Sequence, residues 1–80
     1  MAFPAENIPI VFTTHAIERM ASRRIKESQV VSTVREPHAI AAGNTDFTRS
    51  MSREFPPGKR LTVIIEESAT EITVITCYWE

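Results

Sequence analysis

Apolar residues recur along this chain with two different periods. Between Thr14 and Arg23 the period is helical. Ile17, Met20 and Ala21 fall on one side of a helix and Ala16 at its margin, while His15, Glu18, Arg19 and Ser22 stand opposite, with Arg23 at the edge. Thr13-Thr14 offers a hydroxyl to cap the first turn. The second period begins after Ile25. Val30, Val31 and Val34 make the stripe of a helix over about 26–35, with Ile25 spaced to staple against Val30 if Lys26 is the N-cap. Pro37 stops that helix, since it restricts Glu36 and lacks the N–H that would extend the ladder. His38 to Asn44 has weak preferences and is read as a connection.

From residue 46 the period falls to two. Phe47, Arg49, Met51, Arg53 and Phe55 share one face of a strand over 46–54 and its end, and every even position is polar. Pro57 and Gly58 suit the centre of a type II turn. A β-branched strand over 60–66 follows, then a strand over 71–79 (EITVITCYW), apolar on both faces and so expected to be central. Ile8 to Phe12 reads as a short edge strand. These elements predict one α+β domain over residues 1–80. Two N-terminal helices pack on an antiparallel sheet of three to four strands, and residues 1–8 form an extended lead-in.

Composition narrows the functional classes. The chain has 80 residues, 42% of them apolar, and no apolar run near the ~18 residues of a membrane span. The start, MAFPAENIPI, lacks the basic and apolar segments of a signal peptide. Cys77 is the single cysteine and cannot form an internal disulfide. Together these predict a cytoplasmic protein without membrane attachment. Cys77, His15 and His38 show no ligand spacing, so neither metal nor cofactor is expected. Net charge is −1, but residues 1–60 hold nine Lys and Arg against six Asp and Glu (+3), and residues 61–80 hold four Glu and no base (−4). A near-neutral chain can thus carry a basic face for an anionic partner. His15, Arg19 and Arg23, spaced i, i+4, i+8, form a row that either grips phosphate or is a solvated helix face.

Three stretches carry a resemblance: HAIERMASRRI, PGKRLTVII and VITCYW. Their order resembles a family of small bacterial domains, originally of unknown function, with the pattern His-x-x-x-Arg-Met-x-x-Arg-Gly-Ile, Gly-Arg-x-Leu-x-Val-Val and Ile-Thr-x-Tyr. That family in turn resembles the barnase–EndoU–colicin–RelE group of ribonucleases and toxins. The resemblance implies a RelE/barnase-like fold and metal-independent endoribonuclease chemistry, in which the ribose 2′-hydroxyl attacks the adjacent phosphate. It also implies an RNA substrate and a cognate antitoxin or immunity protein. In that reading His15 exchanges the proton, Arg19 and Arg53 stabilise charge on the phosphate, and Thr76 and Tyr78 supply hydroxyls. Arg23, Arg24, Arg49, Lys59 and Arg60 hold the substrate. Arg24 replaces the pattern's glycine, and Lys26 stands where a Ser or Thr cap is usual, so both departures add positive charge. Two other readings remain: a non-catalytic RNA- or protein-binding module on the same fold, and an interaction protein that pairs through a sheet edge.

Overall fold

The computed structural model describes residues 8–80, so all but Ile8 of the expected lead-in lies outside the described residues. The elements run β1 (Ile10–Phe12), α1 (Thr14–Ser22), α2 (Glu27–Arg35), β2 (Ala39–Ala42), β3 (Thr48–Phe55), β4 (Lys59–Glu67) and β5 (Ile72–Trp79). They build one five-stranded sheet in the order β1-β5-β4-β3-β2. The α+β sheet is therefore mixed, which corrects the expected antiparallel sheet of three to four strands behind two leading helices. β1 precedes the helices and pairs parallel to β5, Ile10 beside Ile72 and Phe12 beside Val74. No hairpin turn ties β1 to its neighbour, so nothing local forces the antiparallel sense. β2 occupies the stretch read as a connection. Its Ala39-Ile40-Ala41-Ala42 carries little strand propensity and is exposed throughout; pairing with Ser52 to Arg49 of β3 makes it a strand.

α1 lies against β5, and α2 against β3 and β4, so both helices cover one face of the sheet. Val30 and Val34 of α2, with Ala16 and Ile25, meet Met51, Leu61, Val63, Ile65, Ile72, Val74 and Cys77 in the core. Each Val, Leu, Ile or Met side chain among them contributes roughly 1.5–3 kcal/mol by leaving water. Ile25 and Val30 are both in this core, where the staple spacing places them. Gln29 Oε1 accepts the Lys26 N–H at 2.9 Å, supplying the first turn of α2 with one cap although lysine itself offers no acceptor.

The apolar face of α1 is turned from its expected position. Ala16 is fully buried and Ile17 is 56% exposed. β1 pairs only with residues 72–74 of β5, which leaves the rest of that edge without a strand. α1 covers it. The Thr13 N–H donates to Val74 O at 3.1 Å, Thr13 Oγ1 to Ile75 O at 3.1 Å, and Arg23 Nη1 to Cys77 O at 3.3 Å. These bonds fix the helix's rotation, and Ala16, the smallest side chain available, takes the position of closest approach. Thr13 Oγ1 also accepts the Ala16 N–H at 3.0 Å, the cap its sequence offered.

α1 ends in a Schellman arrangement. The Ile25 N–H reaches Met20 O at 2.9 Å, which requires a left-handed residue between them. That residue is Arg24, at φ 55°, and it holds the conformation despite its Cβ. Gly58 takes φ 92° in the β3–β4 turn. Its N–H donates to Phe55 O at 3.1 Å, so Pro56 and Pro57 are the central residues and Gly58 closes the turn, which corrects the expected type II turn centred on Pro57 and Gly58.

Candidate functional site

Cross-strand register decides which of the candidate side chains can meet. Arg53 pairs with Leu61, Leu61 with Trp79, and Phe55 with Lys59, so Arg53, Phe55, Lys59 and Trp79 all belong to the helix-facing side at one end of the sheet. There they form a connected strip. The Arg53 guanidinium lies 6.0 Å from the Phe55 ring centroid, and Phe55 meets Trp79 edge to face with centroids 6.2 Å apart. The Lys59 ammonium sits 5.4 Å from the Trp79 ring. Such cation–ring contacts contribute roughly 0.5–1 kcal/mol each at exposed positions. The Trp79 indole N–H donates to Arg23 O at 3.1 Å, which brings the α1–α2 turn with Arg23, Arg24 and Lys26 against the strip. Two basic segments, Arg23 to Lys26 and Arg53 to Lys59, which are distant in sequence, thereby share one end of the molecule. A groove of about 270 Å³, open to solvent and lined by Glu54, Phe55, Pro56 and Gly58, lies at the β3–β4 turn.

Ion pairing separates the cations into two groups. Among the described residues the ion pairs are Arg49–Glu67 and Arg60–Glu54, both at 3.6 Å. Arg49 lies at the far end of β3 from the strip, and Arg60 is on the sheet face turned away from the helices. These two substrate-binding candidates are thus separated from Lys59 and engaged by carboxylates. Arg19, Arg23, Arg24, Lys26, Arg53 and Lys59 have no ion pair among the described residues, and each keeps donors for an anion. Arg53 Nη1 additionally bonds Glu36 O at the end of α2, which fixes one side of its guanidinium.

His15 and Arg19 sit on the exposed side of α1. Arg19 Nε donates to His15 Nε2 at 3.3 Å. Arg23, the third member of the row, anchors α1 to β5 through Cys77 O. Thr76 and Tyr78 pair with Ile64 and Thr62, so both face away from the helices and from the His15–Arg19 pair. The expected catalytic set is therefore divided between two faces. On the open face, Thr62 is almost wholly buried and its hydroxyl donates to the Glu80 carboxylate. Cys77 is buried in the core, and burial pushes its thiol pKa up, partly offset by the Arg23 guanidinium nearby. No group of three or more His, Cys, Asp and Glu able to hold a metal is found among the described residues, and no helix there is long and apolar enough to cross a membrane.

No motif marks Phe55 or Trp79 as a site residue. They are 24 positions apart, and no motif links them. What could have indicated them is parity: each shares its strand face with a candidate cation or with the core, Phe55 with Arg53 and Trp79 with Cys77.

The architecture and this site define a small α+β domain with a basic, aromatic-bearing end formed by two turns. Residues 12–79 match the DUF4258 family, described as a domain of unknown function, and the chain belongs to that family. No curated protein and no solved structure matches the chain.

Proposed function

We propose that this protein acts on RNA as a small metal-independent endoribonuclease, the toxin of a pair whose partner is an antitoxin. The reading joins the motif resemblance to the barnase–EndoU–colicin–RelE group with one observation, the His15–Arg19 hydrogen bond at 3.3 Å. An imidazole and a guanidinium in contact supply a proton acceptor and a phosphate ligand at one point of the surface. In the free protein the lone pair of His15 Nε2 is occupied by Arg19. Once Arg19 turns to a phosphate, that lone pair is released and can accept the proton of the ribose 2′-hydroxyl. The 2′-oxygen then attacks phosphorus as the bond to the 5′-oxygen of the next nucleotide breaks, that oxygen takes a proton from solvent water to leave as a hydroxyl, and a 2′,3′-cyclic phosphate remains. Arg19 meets the charge that grows on the phosphate oxygens.

The test is cleavage of a short RNA by purified protein, with His15→Ala as the variant. His15→Ala should slow cleavage roughly 10²–10⁴-fold, the usual contribution of a general acid or base. RNA affinity should barely change, because binding rests on Arg and Lys. A folded His15→Ala protein that cleaves at the wild-type rate would remove His15 from the reaction. A second reading, a non-catalytic RNA-binding module, is favoured by the placement of Thr76 and Tyr78 on the face away from His15. Salt-sensitive RNA binding with no cyclic phosphate product would establish it.

A further inference from the structure

The basic end carries more than charge. An anion-binding surface needs only Lys and Arg, yet here the cations Arg53 and Lys59 stand over two aromatic rings, and Phe55 also lines a groove. We infer that Phe55 and the adjoining groove receive an unpaired base of single-stranded RNA, while Arg53 and Lys59 hold the flanking phosphates. This rests on the RNA reading above and specifies the strand form and the residues that engage the base.

Three features support it. The first is access: the groove is open to solvent, so an unpaired base can reach it, whereas a base stacked and paired within a duplex cannot turn its face to it. The second is chemistry: Glu54, Phe55, Pro56 and Gly58 line the groove, and its lining is more apolar than polar, as a surface that receives the face of a base must be. The third is charge complementarity. Arg53 and Lys59 have no carboxylate partner among the described residues, whereas Arg60, on the other face of the same hairpin, is paired with Glu54. Stacking on an aromatic ring flanked by cations tolerates any base and discriminates against duplex, in which the faces of the bases are already covered.

The chain's single tryptophan lies in the strip, so its fluorescence reports on occupancy directly. The experiment titrates the full-length protein with four probes: a five-nucleotide RNA 2′-O-methylated to block cleavage, the same chain without bases, a duplex of the same sequence, and inorganic polyphosphate. Anisotropy of labelled probes is followed in parallel. The base-bearing single strand should bind on the order of 10-fold more tightly than the abasic chain, and should quench Trp79. Phe55→Leu, which keeps an apolar side chain in the packing, should abolish that preference and leave polyphosphate binding unchanged. Lys59→Ala should weaken all four probes and lower the salt slope by about one. Equal affinity for abasic and base-bearing chains, equal affinity for duplex, or an undiminished preference in Phe55→Leu would overturn the stacking inference. Each of those outcomes leaves the RNA reading intact, because phosphate binding persists. Absence of binding to any of the four probes would instead overturn both.

Discussion

Replacing Arg24 by glycine should make this protein more stable while removing a positive charge from its basic end. Arg24 sits at the left-handed position closing α1, with φ 55°, and the Ile25 N–H to Met20 O bond depends on that conformation. A side chain bearing a Cβ pays roughly 1–2 kcal/mol to hold left-handed geometry, and glycine avoids it. Glycine in turn adds unfolded-state freedom that costs about 0.4–1 kcal/mol. The difference favours Arg24→Gly by about 0.7 kcal/mol. Unfolding entropy near ~2.1 cal/mol/K per residue gives about 170 cal/mol/K for a domain of this length, so the Tm should rise about 4 °C. Arg24→Ala is the control, since it removes the same charge but keeps the Cβ, and its Tm should stay close to wild type. Circular dichroism melts of the three proteins at matched concentration read the result. If Arg24→Gly melts no higher than Arg24→Ala, the left-handed strain is not the cost assigned to it. The same two variants should bind polyphosphate with equal, reduced affinity, because affinity follows the charge and stability follows the Cβ. A residue kept at a strained position where glycine fits better is what a contribution to anion binding predicts.

Two further outcomes test the packing. Gly43→Ala should destabilise the protein by about 1–3 kcal/mol, because the added Cβ would meet the Thr48 side chain at 2.1 Å and the Thr48 carbonyl carbon at 2.8 Å; a denaturant midpoint equal to wild type would show that the β2–β3 connection yields freely. Burial raises the Cys77 thiol pKa above its ordinary value, so the folded state keeps the proton where the unfolded chain releases it. That contribution is complete below the ordinary thiol pKa and is lost as pH rises toward the raised one. Stability measured from pH 7 to pH 10 should therefore fall more in the wild type than in Cys77→Ala, and parallel curves would contradict the assignment.

Much of this fold is legible in local pattern. The two helices and the three long strands are each written in a short run of periodic residues with a stop signal, because helix and strand bury their apolar side chains at fixed spacing; the prolines mark the turn between β3 and β4 but not its type. The departure at Arg24 is equally visible, since a residue that must turn left-handed stands where glycine is usual. What sequence could not decide was everything set by contacts between distant segments. β2 is a strand only because β3 lies beside it; four residues of Ala-Ile-Ala-Ala have no pattern of their own. β1 runs parallel to β5, and the unpaired remainder of that strand is capped by α1, which rotates the helix until Ala16 rather than Ile17 faces the core. The candidate site divides in the same way. The residue types able to bind phosphate are read directly from the chain, but their grouping follows from register. Strand pairing carries Thr76, Tyr78 and Arg60 to one face, and gathers Arg53, Phe55, Lys59 and Trp79 on the other. Alternation of side chains is local, so the sequence determined which residues share a strand face. Which strands lie side by side, and in what register, is a sum of many weak long-range contacts, and only the folded chain decided it.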